Sequence, residues 1–276
     1  MAERRFGVLI ASSRFQAESW MAPLRCPEND ADGLAEILAA NGDFRPEGIN
    51  VLKNVPHYEG LRQVNLALRV ATKDDLVLLY YSGHGKQDDN GRLHLASVDT
   101  VADALESTSI PIESIRCMID NSRSNKIVLI LDCCYSGAAG QAFFRGGIDD
   151  QLQRVSGGSG SYILTASTAV QAAREREGDR YGLLTKYIIE GVQSGQADLD
   201  GDGLVTMDEL YEYVFEHVRA DAQQLPQKWS RDVRGALVIA RCGVKSGPAV
   251  VRSGVGLIPG YEPTGAIAGR QCGFWH

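Results

Sequence analysis

The sequence predicts an α/β fold on a mostly parallel sheet. Short apolar runs alternate with stretches of helical periodicity over most of the chain, the order that strand–helix–strand units produce. Two of the runs, 75–81 and 126–132, are almost continuously apolar, as strands covered by helices on both faces have to be. With 276 residues and 44% hydrophobic side chains, the chain can bury a substantial core.

Taken in order, residues 6–11 form the first strand. Asn29 or Asp30 is placed to cap a helix in which Leu34, Ile37 and Leu38 fall at i, i+3 and i+4, and Asn41-Gly42 stops it. A strand at 49–53 and a helix at 59–71 lead to the buried strand 75–81. Asn90-Gly91, between Gly85 and Leu95, is a strong hairpin signal. A helix at 111–123 precedes the second buried strand, 126–132. From Ser136 to Ser161 the chain is rich in glycine and ends in Ser156-Gly-Gly-Ser-Gly160. It is expected as a flexible loop, longer than compact domains keep without a functional reason. A strand at 162–166, a helix at 181–193, an acidic loop, a helix at 207–220 and a strand at 236–241 complete one domain over residues 1–242. Residues 243–276 contain Gly and Pro, lose periodicity and form a tail.

A net charge of −7 argues against a surface built to hold nucleic acid, which needs clustered Lys and Arg to displace counterions. No apolar run approaches the ~18 residues that span a bilayer, so no membrane partner is expected. Arg4 and Arg5 precede an apolar stretch, but 6–11 is shorter than the ~7–15-residue core of a signal peptide. Cys26, Cys117, Cys133, Cys134, Cys242 and Cys272 form no C-x-x-C pair, which favours reduced thiols and a cytoplasmic location.

In open α/β sheets, functional residues gather beyond the carboxyl ends of strands. One buried strand runs into Ser82-Gly83-His84-Gly85 and the other into Asp132-Cys133-Cys134-Tyr135-Ser136-Gly137. If the strands are neighbours, His84 and Cys134 face one crevice. A free thiol with pKa near ~8.5 is only slightly ionised at neutral pH, and an adjacent imidazole raises its reactive fraction. The glycines at 83, 85 and 137 let backbone approach a substrate, and amides near Gly85 and Cys134 are candidates for an oxyanion hole. A disulfide between Cys133 and Cys134 is disfavoured, since adjacent Cα atoms lie ~3.8 Å apart and bridged ones usually ~4.4–6.8 Å.

These two segments resemble the histidine and cysteine motifs of the caspase, metacaspase and paracaspase family, in particular its bacterial members. Further likeness lies in Leu24-Arg-Cys-Pro-Glu-Asn-Asp-Ala31, Ser97-Val-Asp-Thr100, Leu164-Thr-Ala-Ser167 and Gly182-Leu-Leu-Thr185, so it runs from about residue 5 to 240. The resemblance implies a three-layer sandwich with a mostly parallel six-stranded sheet. It also implies a large-subunit-like portion at 1–137, a linker loop at 138–160 and a small-subunit-like portion at 161–242. The nucleophile of that family precedes Tyr-Ser-Gly here, which maps to Cys134 and makes His84 its base in a cysteine endopeptidase. Metacaspase-like members hold an Arg or Lys side chain at the position before the scissile bond, P1, with groups that map to Asp30, Ser82 and Asp132. The implied partner is a protein or peptide with a basic P1 residue. Caspases instead place arginine there and prefer Asp, and Arg25 lies close to where one such arginine arises. Another reading has Asp30 capping its helix and Asp132 pairing with a protein arginine. Arg145 and Arg154 in the linker are candidate self-processing sites.

Residues 198–209 match a twelve-residue EF-hand calcium loop. Asp198, Asp200 and Asp202 occupy positions 1, 3 and 5, Gly203 the sharp turn, the Leu204 carbonyl position 7 and Glu209 position 12. Ca2+ is therefore the candidate cofactor, regulatory or structural, with none required by the thiol chemistry. Thr206-Met-Asp-Glu209 also reads as a capping box, and the two readings are compatible. Two other functions compete with peptide hydrolysis. One is a caspase-fold signalling or scaffold protein, with a signalling partner or homodimer, and the other a calcium-dependent interaction module.

Overall fold

The computed structural model describes residues 3–136, 148–155, 160–166, 178–222, 225–231 and 235–242. Gly137, Arg145, Ser167, most of the linker's glycines and the tail 243–276 lie outside them, as do the side chains of Cys134 and Arg154.

The N-terminal apolar run forms β1 (Arg5–Ala11), flanked in parallel by β2 (Ile49–Lys53) and β3 (Leu76–Gln87). Beyond β3 come β6 (Lys126–Ser136) and then β7 (Ser161–Thr165), again parallel. The sheet continues into β9 (Gln227–Arg231), antiparallel to β7, which gives the order β2-β1-β3-β6-β7-β9. Off this path, the expected hairpin sets β4 (Leu93–Leu95) against the end of β3, and β5 (Ile110–Pro111) pairs with β4. The sequence-based sheet of six mostly parallel strands is present, with one correction. The strand expected at 236–241 is β10 (Val238–Arg241), which leaves the main sheet and pairs with β8 (Leu204–Thr206). Its place at the sheet edge is taken by β9, whose Gln-Lys-Trp-Ser-Arg run hides its strand character. Charged side chains suit an edge strand because they discourage its open edge from pairing with another chain.

Helices cover both faces. On one side α1 (Pro27–Asn41), α6 (Leu183–Ser194) and α7 (Met207–Ala222) bury Leu34, Leu38, Ile188 and Val214 against Leu78, Tyr80, Val128 and Ile130. On the other, α2 (His57–Val70), α4 (Ile112–Asp120) and α5 (Ile148–Val155) bury Val64, Leu68, Ile119 and Leu152 against Val77, Leu79, Tyr81 and Leu129. A short helix, α3 (Leu105–Thr108), leads into β5. Alternate residues of β3 thus belong to opposite cores, the period-two rule with both faces buried.

Two expectations are corrected by packing. The linker is not loop throughout, because Leu152 and Val155 on α5 are fully buried in the second core. Its helical face is carried by three apolar residues spaced i, i+4 and i+7, too few to stand out beside glycine-rich flanks. Helix α1 also begins earlier than Asn29, with Pro27 at its first position and Cys26 before it, and no side chain caps it. Proline suits that position because its φ is preset and its missing N–H has no intrahelical partner there. Asp30 therefore lies inside the first turn and serves other groups.

Replacing Leu152 by Ala is expected to lower the stability of the chain by about 2–5 kcal/mol in urea denaturation, whereas a true loop residue would change it little. A second expectation concerns Asp75. Its burial alone would raise its carboxyl, but hydrogen bonds from the Arg4 side chain and from the Thr72 and Arg4 amides outweigh this and hold it well below the usual range. The unfolded chain then takes up the proton first as pH falls. The stability Asp75 contributes is complete above about pH 4 and is lost as pH drops toward the depressed folded value. Asp75→Asn should flatten that acid limb in urea titrations run at a series of pH values.

Candidate active site

Strand β1 stops at Ala11, in register with Ser82, and β7 stops at Thr165, in register with Leu131. Strands β3 and β6 continue past both neighbours, paired from Ser82↔Asp132 through His84↔Cys134 to Lys86↔Ser136. The strands therefore do not end at 81 and 132, and the two candidate catalytic residues lie within a projecting two-stranded ribbon. The hairpin makes this possible, since β4 pairs with Gly85, Lys86 and Gln87 and supports the outer edge of β3.

Strand alternation sorts the ribbon's residues. Tyr81 and Cys133 fall on the α2 side and are buried in the second core. Positions 80, 82 and 84 of β3 and 132 and 134 of β6 share the other face, toward α1 and α6. Cys133 is thus the buried apolar neighbour, and position 134 is the one in register with His84.

Two carboxylates converge on that face. Asp30, only 1% exposed, accepts hydrogen bonds from Ser82 Oγ at 2.9 Å and from the Gly182 N–H at 2.7 Å. Half-buried Asp132 accepts from the Thr185 N–H at 3.2 Å and Thr185 Oγ at 2.6 Å. Gly182 precedes α6 and Thr185 lies in its first turn, so the acids meet backbone donors at the positive end of the helix dipole. A Cβ on Gly182 would stand 3.0 Å from Asp132 Oδ2 and 3.1 Å from Asp30 Oδ2, which leaves little room for any larger residue between them. Tyr80 lies beneath, its hydroxyl 2.7 Å from Thr185 Oγ. Burial raises its phenol pKa well above the usual value, and the nearby Asp30 and Asp132 charges raise it further. Asp30 does not cap α1, as the sequence allowed. Asn29 donates to the Arg180 carbonyl instead, and Arg25 is exposed.

His84 is half-buried, with its Nε2 2.9 Å from the Ala22 carbonyl oxygen and its ring 5.0 Å from that of Phe15. A carbonyl only accepts, so Nε2 carries the proton in this arrangement and Nδ1 is the basic nitrogen. Packing also restricts position 83 to glycine. A Cβ there would clash with Tyr81 Oη, and that hydroxyl lies 2.8 Å from the carbonyls of both His84 and Ala96. Gly85 is paired with Leu95 on one side and Tyr135 on the other. The sequence offered no sign of Ala22, since a backbone carbonyl has no side-chain signature, nor of Phe15, whose ring meets His84 only through the tertiary fold. Thr185 had one, at the third residue beyond Gly182 where a helix start presents an uncapped N–H.

The acidic loop follows the left-handed Gly195 that ends α6. Ligand atoms of Asp198, Asp200 and Asp202 all lie within 4.8 Å of one another. Asp198 accepts from the Gly201 and Gly203 amides, and Gly203 takes φ +85°, as the sharp turn requires. Thr206 and Glu209 form the expected capping box at the start of α7, with Glu209 N–H donating to Thr206 Oγ at 3.2 Å and Thr206 N–H to Glu209 Oε2 at 2.9 Å. Leu204, whose carbonyl would be the seventh-position ligand, begins β8 and pairs with Arg241 of β10. An all-oxygen donor set of this spacing fits a hard cation such as Ca2+.

The sequence matches the profile of the family described as the caspase domain over residues 4–238. No curated protein matches it. Among solved structures, the chain is similar to protein GSU0716 of Geobacter sulfurreducens, with TM-score 0.59 and 13% identity over 83% of this chain and 93% of that one. It is also similar to caspase-1 of Spodoptera frugiperda, with TM-score 0.56 and 14% identity over 83% and 86% of the respective chains.

Thr185 joins the two acids to the helix they face, and it is fully buried. Thr185→Val keeps its shape and removes the hydroxyl between Asp132 and Tyr80. The loss is expected to cost about 1–3 kcal/mol in thermal or urea denaturation.

Proposed function

This chain belongs to the caspase-domain family of cysteine peptidases, and we propose that it is an endopeptidase in which Cys134 is the nucleophile and His84 its base. The observation that carries this reading is the His84↔Cys134 register in a ribbon that projects beyond the rest of the sheet. His84 takes the thiol proton at Nδ1, and the Cys134 sulfur adds to the substrate carbonyl. The amides of Gly85 and Cys134 are the proposed donors to the resulting oxyanion. The imidazolium returns its proton to the leaving amine as the thioester forms, and water then hydrolyses the thioester with His84 again as base.

The substrate is a protein or peptide with Arg or Lys at P1. Asp132, half-buried at the mouth of the acidic cluster, is proposed to meet the cation, with Asp30 and Ser82 behind it. Each charge-assisted hydrogen bond there contributes on the order of 1.5–3 kcal/mol, enough for strong selection over neutral side chains. Self-cleavage is proposed at Arg145 rather than Arg154, because Arg154 lies on α5 between the fully buried Leu152 and Val155 and cutting there requires unwinding a packed helix.

Calcium is the proposed regulatory ion, held by Asp198, Asp200, Asp202, the Leu204 carbonyl and Glu209. It would supply charge neutralisation to the acidic loop, and these residues would orient the loop around it. A pairing that supports this reading is β8 with β10. The Leu204↔Arg241 register holds the backbone extended at the seventh position, whose carbonyl is the proposed ligand.

Fluorogenic peptides differing only at P1, assayed with and without Ca2+, test the whole reading. Arg and Lys peptides should be cleaved and Asp peptides spared, and Cys134→Ala should reduce the rate by at least about 10^3-fold. Cleavage of the Asp peptide alone would overturn the specificity, and no Cys134-dependent cleavage of any peptide would favour a scaffold role. Calcium calorimetry should give heat that Asp198→Asn removes. Neither heat nor a rate change would end the calcium proposal.

A further inference from the structure

The segment from Ser12 to Cys26 touches His84 at two points, through the Ala22 carbonyl and the Phe15 ring. Apart from one 3-10 turn at Ala17–Ser19 it has no regular structure, so something else must hold its shape. Its two limbs are tied by the Leu24 N–H, which donates to the Ser13 carbonyl at 2.9 Å. The base of the strap is held by Asn54, the residue after β2, in the left-handed region at φ +50°. Asn54 Oδ1 accepts the Ser13 N–H and the Arg14 N–H, each at 2.9 Å, and its own N–H donates to the Ala11 carbonyl at 2.8 Å. Asn54 Nδ2 donates to Glu28 Oε1 at 2.8 Å. The Ser13 hydroxyl sits between them, 2.7 Å from Glu28 Oε1 and 3.1 Å from Asn54 Oδ1. The Ser13 hydrogen bond lowers the Glu28 pKa, and after the opposing effect of burial the bond from Asn54 lowers it further, so Glu28 is anionic when the cluster is formed.

We propose that Asn54, acting with Glu28 and Ser13, is a positioning residue for His84. It fixes the strap so that the Ala22 carbonyl holds the Nε2 proton and the ring keeps Nδ1 for the Cys134 thiol. The proposal rests on the reading of His84 and Cys134 as a base and nucleophile. Asn suits the place because it accepts two amides at one end and donates to a carboxylate at the other. Asp loses that donor and sets a second negative charge against Glu28, while Ala loses both ends.

The test reads thiol ionisation directly, through the pH dependence of iodoacetamide labelling of Cys134 followed by mass spectrometry. In the unaltered chain, labelling should rise below the ordinary thiol pKa of about 8.5. In Asn54→Ala the rise should move about one pH unit toward that value. Peptide kcat should fall on the order of 10- to 100-fold with KM little changed. Asn54→Asp should behave similarly, and adding Glu28→Gln should restore most of the loss, because the glutamine amide can donate where the asparagine did. If Asn54→Ala does not fold, Asn54→Asp supplies the same comparison. An unshifted labelling profile in either folded variant, or a double variant no better than Asn54→Asp alone, would overturn the proposal. If His84→Ala leaves the profile of the unaltered chain unchanged, the dyad itself is wrong, and the positioning role falls with it.

Discussion

Parallel pairing of β3 with β6, continued beyond the ends of their neighbours, is the constraint on which the rest of this structure depends. Inside the sheet the two strands are covered by helices on both faces, and their side chains divide strictly between two cores. The same alternation persists where the neighbours stop. It therefore sorts Cys133 into the core and sets position 134 in register with His84 without any further device. A one-residue slip of β6 would exchange the two cysteines and turn Asp132 into an apolar core. The burial of Leu129, Leu131 and Cys133 on one side and Val128 and Ile130 on the other resists such a slip, because it would expose or misplace every one of them.

Around the ribbon, polar groups act between elements rather than within them. Asp30 does not cap its own helix, which starts at Pro27 without a side-chain cap, and instead joins α1 to β3 and to the start of α6. Asp132 joins β6 to the same helix start. A helix N-terminus is a good partner for one buried and one half-buried acid, since its N–H groups lack intrahelical acceptors and its dipole favours negative charge. The opposite end of α6 opens into the acidic loop at 198–209. Twelve residues of helix, or about 18 Å at 1.5 Å per residue, thus separate the candidate specificity acids from the candidate cation loop.

Identity of 13% and 14% with the similar solved structures fits a fold specified by pattern more than by particular residues. Burial on both faces asks only for apolar side chains at every strand position. The exceptions are places where chemistry or space leaves one choice. Gly83 must clear the Tyr81 hydroxyl, and Gly182 must fit between two carboxylates.

By itself the sequence determined the sheet's central strands, the helices that cover them, the hairpin at Asn90-Gly91, the capping box at Thr206 and the candidate residues His84, Cys134, Asp30, Ser82 and Asp132. Periodicity and short motifs are local signals, and these features are local. Tertiary structure decided the rest: that Cys133 is the cysteine buried in the core, that β9 rather than β10 closes the sheet, that α5 packs inside the linker, and that Asp30 serves Ser82 and Gly182. It also brought the Ala22 carbonyl to His84 and Asn54 to the strap. Such contacts join residues far apart in the chain, often through backbone atoms every residue shares, and a backbone carbonyl leaves no mark in a sequence.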